Sequence, residues 1–154
     1  MGVAEAAIAA AQERQRLADI PGLIEGAHDG AGLGDRFLGH VERCAVLIHL
    51  IDGTEEDVVA SYKTIRGELA AYDEALAEKP ELLVLNKIDA LDADAIKAKA
   101  KALKKASKAE VMLVSGATHQ GVDEVLYAVL RILDAAKAER LERARAKIVS
   151  TWAP

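Results

Sequence analysis

The chain has 154 residues, half of them hydrophobic (51%), few of them aromatic (3%), and a net charge of -5. That is enough for one domain with a real aliphatic core. The acidic balance excludes a global electrostatic pull toward nucleic acid or anionic lipid, no direct DNA binding is expected, and the lack of aromatics argues against a base-stacking surface. No apolar run reaches the roughly 18 residues of a membrane span. The single cysteine, Cys44, excludes an internal disulfide, and it fits a reducing compartment. The N-terminus lacks the basic start and apolar heart of a secretion signal, so the expected location is the cytoplasm.

Residues 2–16, "GVAEAAIAAAQERQR", predict a helix of high propensity whose apolar face is mostly alanine. A short extended piece, 17–20, runs into Pro21-Gly22. "LIEGAHDGAGLGDRFLGHVERC" then opens glycine-rich and closes helical, with Gly26, Gly30, Gly32 and Gly34 marking a tightly turned backbone. Three apolar runs follow: "AVLIHLIDG" (45–53), "ELLVLNKID" (81–89) and "VMLVSGA" (111–117). Helical patterns at 55–78, 92–107 and 122–145 lie between and after them. Continuous apolar strands alternating with helices predict a parallel sheet covered on both faces. In such sheets ligands sit at the carboxyl ends of the strands. Those ends carry Asp52, then Asn86, Lys87 and Asp89, then Ser115, Gly116 and Ala117.

Each end has a chemistry that suits a nucleotide. An ionised carboxylate only accepts hydrogen bonds. Asp89 therefore matches the two adjacent donors of guanine, N1–H and the exocyclic amine, which adenine does not present. Such charge-assisted bonds contribute about 1.5–3 kcal/mol each. Asn86 can serve the other edge of the base and tie loops together, and the stem of Lys87 can lie on the base face. Ser115, Gly116 and Ala117 can offer a backbone N–H to the guanine carbonyl, with Gly116 permitting close approach. The alternative for Asp89 is a polar turn residue at a helix start. Upstream, Asp19 at a strand tip can hold Mg²⁺ through water, and the Gly22 N–H can sense a terminal phosphate.

The stretch "DIPGLIEGAHDGAGLGDRFLGHVERC", followed in order by "HLIDGT", "NKID" and "VSGATHQGVDEVL", closely resembles the Obg (CgtA) family of GTPases. The resemblance covers residues 17–136. It implies a Ras-like P-loop NTPase-type α/β fold that binds GTP and GDP with Mg²⁺. It also implies slow hydrolysis of GTP and work with the large ribosomal subunit. By it, Asp19 and Gly22 belong to the third GTPase motif, Asn86, Lys87 and Asp89 to the fourth, and Ser115 to Ala117 to the fifth. Leu23 stands where many small GTPases carry a water-positioning Gln, which implies weak intrinsic hydrolysis.

No G-x-x-x-x-G-K-[ST] occurs in the 154 residues. The expectation is therefore an incomplete sheet, without the phosphate-loop strand and switch I. It has a sound three-strand half over 45–136, and residues 1–40 are poorly anchored. The expected organisation is a non-family helix at 1–16, a partial GTP-binding domain at 17–136 and a helical extension at 137–154. Such a truncated form would bind nucleotide weakly or not at all. The rival reading is a non-catalytic interaction module that keeps the switch II surface and has abandoned nucleotide.

Smaller signals have plain readings. His49, inside an apolar strand, is expected to be a satisfied core histidine, and His28, His40 and His119 to be solvated. The histidines and the cysteine show no metal-ligand spacing. The basic helix "KAKAKALKKASK" (97–108) reads as a solvated face or as a contact for RNA phosphates.

Overall fold

The computed structural model describes residues 44–72 and 74–151. Among them the order is β1 (Leu47–Asp52), α1 (Val58–Tyr72), α2 (Glu74–Ala77), β2 (Glu81–Asn86), a 3-10 turn (Ile88–Ala90), α3 (Ala93–Ser107), β3 (Val111–Leu113) and α4 (Val122–Thr151). The three strands form one parallel sheet in the order β1-β2-β3. Leu47 pairs with Glu81, Asp52 with Asn86, and Leu83 with Val111. This is the α/β alternation and the three-strand half that the apolar runs predict. The expected helix at 2–16, Asp19, Gly22, Leu23, the glycines at 26–34, and His28 and His40 lie outside the described residues.

β2 is the middle strand and carries the burial. Leu83, Val84 and Leu85 are no more than 1% exposed. On one face Leu83 and Leu85 pack with Ile51, Val58, Ile88 and Leu103, bringing α1 and α3 onto the sheet. On the other, Val84 meets Val114, Val125 and Val129 of the β3 end and α4. Fully burying such side chains contributes about 1.5–3 kcal/mol each. Burial alternates along β1: Leu47, His49 and Ile51 are buried, while Ile48 and Leu50 are only half-buried.

Local chemistry moves several boundaries away from the pattern-based expectation. The helical pattern from 55 begins only at Val58, because the Asp57 carboxylate accepts from the N–H groups of Val59 and Ala60 (3.0 and 2.9 Å), capping the helix there. Its remainder is two helices rather than one. α3 starts after Asp92, whose side chain accepts from Ala95 N at 2.7 Å, and stops at left-handed Lys108. β3 is three residues long rather than a run to 117, and β1 begins at Leu47 rather than beside Cys44. α4 continues without a break past Arg145 to Thr151. Its burial ends at Ala136, and residues 138–146 are exposed.

His49 is a satisfied core histidine, as its place in an apolar strand predicts. Its Nδ1 lies 2.7 Å from Glu81 Oε1 at the start of β2, and its ring stacks on Tyr62 at 5.4 Å. Arg66 of α1 reaches the same carboxylate, 3.6 Å from Glu81 Oε2, and donates through Nη2 to the Ala77 carbonyl at 2.7 Å. Burial first, and then the Glu81 charge, push the Tyr62 hydroxyl above its ordinary pKa, with Arg66 opposing.

Candidate functional site

At the carboxyl edge of the sheet the chain changes character within one residue. β2 ends at Asn86, and Lys87 takes the left-handed conformation (φ 61°, ψ 34°). That turn throws the chain off the strand and starts the short 3-10 turn bearing Asp89. Ile88 is 6% exposed and anchors the turn into the core. Its N–H donates to the Val114 carbonyl at 3.2 Å, and Val114 N donates to the Leu85 carbonyl at 2.9 Å. The loop after β2 is thereby fixed to the loop after β3.

Side chains complete the connection. Asn86 Oδ1 accepts from Lys87 N at 2.8 Å and from Gly116 N at 3.1 Å. Ser115 is wholly buried. Its hydroxyl donates to Asp89 Oδ1 at 2.5 Å and accepts from Thr118 N at 3.0 Å. The structure therefore brings together Asn86, Lys87, Asp89, Ser115, Gly116 and Ala117. Asp89 is exposed, and the helix-starting role falls to Asp92 instead. The Gly116 N–H is engaged by Asn86. Among the described residues the Ala117 N–H has no acceptor.

Two findings go beyond the motif. The first is a clamp on Lys87. Its Nζ lies 2.6 Å from Asp52 Oδ2 at the tip of β1. Asp52 Oδ1 in turn accepts from Thr54 N (2.9 Å) and Thr54 Oγ1 (2.6 Å). Partial burial raises the Asp52 pKa, but the bonds from Lys87 and Thr54 outweigh it and hold the carboxyl below its ordinary range. The hydrogen bond that Lys87 donates to Asp52, and then the Asp52 charge, raise the Lys87 pKa. Asp52 is visible in the sequence as a polar strand tip, but Thr54 carries no such signal.

The second concerns glycine. A Cβ on Gly116 would meet only Asn86 Oδ1, at an ordinary 3.7 Å, so no protein atom demands glycine at the position expected to need close approach. The demand lies at Gly53 and Gly121. A Cβ on Gly53 would lie 2.6 Å from the Asn86 carbonyl oxygen, and one on Gly121 (φ 76°) 2.1 Å from that of Leu113. Both are packed under the rim, where backbone crosses backbone.

Among the described residues no group of three or more His, Cys, Asp or Glu gathers to hold a metal, and no helix is long and apolar enough to cross a membrane. The parallel sheet, its flanking helices and its polar carboxyl edge define a GTPase-like α/β fold. The same fold is seen in the crystal structure of a putative nucleolar GTP-binding protein 1 from Plasmodium falciparum, with a TM-score of 0.54 at 18% identity, over 86% of this chain and 71% of that one. The family model "50S ribosome-binding GTPase" matches residues 3–87, more than half of the chain, and the chain belongs to that family. It is also 66% identical over 117 residues to "GTPase Obg" of Acidiphilium cryptum (strain JF-5), a match that covers 76% of this chain and 35% of that protein. The resemblance to Obg GTPases read from the motifs therefore holds, and the chain spans about a third of that relative's length.

Proposed function

We propose that this chain carries the base-recognition side of a guanine-nucleotide site, within a partial Obg-type domain at 17–136. One observation carries the reading. The bonds Ser115–Asp89 and Gly116–Asn86 fix two loops together, yet they leave the Asp89 carboxylate exposed and the Ala117 N–H without an acceptor. A carboxylate beside a free N–H matches guanine, which presents donors and a carbonyl oxygen on one edge. In this reading Asn86 holds the two loops in register and Lys87 covers the base face. Asp19 and Gly22 would serve Mg²⁺ and the terminal phosphate. GTP hydrolysis in support of large ribosomal subunit assembly, in the cytoplasm, is the role proposed for the longer protein type. The loss of burial on α4 after Ala136 supports treating 137–154 as an extension.

The 154 residues contain no phosphate-binding loop. Association costs about 4–15 kcal/mol in lost freedom, and a base edge supplies only part of that. Nucleotide affinity for this chain alone is accordingly placed at millimolar or weaker, equivalent to about -4 kcal/mol, with no appreciable hydrolysis. The test is an amide NMR titration with GDP and with xanthosine diphosphate. Native protein should respond to GDP at residues 86–90 and 115–118. The Asp89→Asn variant should prefer the xanthine nucleotide, because its amide now offers a donor to the added carbonyl. A sub-micromolar GDP dissociation constant would overturn the affinity argument, and an unchanged preference in the variant would overturn the site.

A further inference from the structure

Of the six lysines on α3 and its C-terminal cap, Lys99 lies on another side of the helix and donates to the Glu55 carbonyl; the other five are Lys97, Lys101, Lys104, Lys105 and Lys108. At about 100° per residue these five fall within a single arc of about 100°, and they rise over roughly 16 Å, more than one ammonium per turn. The opposite side of the helix carries Leu103, wholly buried, and Ile96, packed against the same core. All five lysines are exposed. Lys104 pairs with Glu110 at 2.5 Å. Among the described residues Lys97, Lys101, Lys105 and Lys108 have no carboxylate partner. Asp94 is the one acidic residue of the helix on this arc.

Helix stability does not account for the stripe. Lysines near a helix C-terminus complement the macrodipole, which covers Lys104, Lys105 and Lys108. Lys97 and Lys101 stand outside the last turn, where the dipole gives them nothing. The i,i+4 pairs 97/101, 101/105 and 104/108 repel one another. A solvated face needs only mixed charge, and this chain has acid to spare, with 25 Asp and Glu against 20 Lys and Arg. The stripe is a local reversal of the protein's sign.

We propose that the lysine stripe of α3 is a docking surface for the phosphate backbone of helical RNA. The class of partner follows from what the arc contains and lacks. It has no large apolar or aromatic residue, whereas protein interfaces are anchored by such residues and depleted in lysine. It cannot insert into a membrane surface as an amphipathic helix does, because the apolar side of α3 is committed to the sheet. Without aromatics it cannot stack unpaired bases. Rows of ammonium groups suit a phosphate backbone read by charge and shape. The choice of RNA rests on the ribosomal reading above; the anionic, apolar-free character of the ligand does not.

The test uses the 154-residue protein and a fluorescein-labelled RNA hairpin with a duplex of about 16 base pairs, the span typical of a shape-reading contact. With about four phosphates neutralised, the slope of log affinity against log salt is about -3.6, so binding weakens about 150-fold between about 50 and 200 mM salt. The quadruple variant Lys97→Gln, Lys101→Gln, Lys105→Gln, Lys108→Gln should lose at least about tenfold in affinity at the lower salt and most of that slope. The matching Lys→Arg quadruple, which keeps the charge, should retain both. Circular dichroism melts establish that each variant is folded. Unchanged hairpin binding in the Gln variant would overturn the proposal. So would equal binding of native protein to poly-glutamate, or tighter binding to vesicles containing phosphatidylserine. GDP-induced amide shifts, followed in the same samples, should survive the Gln changes. If native protein binds the hairpin with this slope but never responds to GDP, the guanine reading fails while the docking surface stands.

Discussion

Two polar clusters sit on this sheet, and they are built to opposite ends. His49, Glu81, Arg66 and Tyr62 form the first, on the α1 side. It is closed: His49 and Glu81 side chains are 8% and 15% exposed, and they meet at 2.7 Å. The second, at the carboxyl edge, contains Asp52, Asn86, Lys87, Asp89 and Ser115. It is equally well bonded beneath, through wholly buried Ser115, but its outward groups stay in solvent. A buried polar group needs a partner to offset desolvation. An exposed one on a rigid base is free to bind something else. The two clusters differ in exposure rather than in residue type: the first keeps even the donor that lacks a hydrogen bond, Arg66 Nη1, buried, whereas the second leaves its outward groups in solvent.

That contrast can be broken by substitution. The largest effect is expected at the closed cluster. Glu81→Ala strips His49 of its hydrogen-bond partner and Arg66 of its ion-pair partner and should cost about 1–3 kcal/mol in urea unfolding, with GDP-induced shifts at 86–90 unaltered in the folded fraction. A matching loss of GDP response would show that the two clusters are coupled. Ser115→Ala removes two bonds beneath the rim and should cost about 1–2 kcal/mol. Unlike Glu81→Ala, it should also blunt the discrimination between GDP and xanthosine diphosphate.

A stabilised background sharpens both comparisons. Gly67 is exposed inside α1 and a Cβ there meets nothing within 4 Å. Gly67→Ala should therefore add about 0.5–1 kcal/mol, read as a higher urea midpoint with an unchanged slope. The smallest stability effect is expected at the clamp, where Asp52→Asn should cost about 0.2–1 kcal/mol, as an exposed ion pair does.

The clamp also has a pH signature. The folded Asp52 pKa is depressed, so its contribution is present above the ordinary value of 3.8 and is lost as pH falls through the folded one. The folded Lys87 pKa is raised, so its contribution is present below the ordinary 10.5 and is lost as pH rises through the folded value. The stability difference between native protein and the Asp52→Asn variant should therefore be flat from about pH 5 to 9 and should shrink only beyond those limits. A change near neutrality would assign the clamp's charge to other groups.

Much of the candidate site was legible because its residues are close in sequence and stand at strand ends. Asn86, Lys87 and Asp89 follow an apolar run directly, and Ser115 to Ala117 follow the next. Other features were not legible. His49 and Glu81 are 32 positions apart, and Lys87 and Asp52 are 35 apart. Nothing in either segment announces its partner. Gly116 looked like the glycine of close approach, yet Gly53 and Gly121 are the positions where backbone leaves no room. Asp19 and its neighbours lie outside the described residues.

Local sequence determined the alternation of strands and helices, the caps at Asp57 and Asp92, and the polar tips, since each depends on the chemistry of adjacent residues. Only the tertiary structure decided which polar groups are used up and which remain available. Parallel strand register sets Asp52 beside Asn86 and brings Leu85 against Leu113. That register follows from burying β2 on both faces, a property of the packed sheet that no single segment contains.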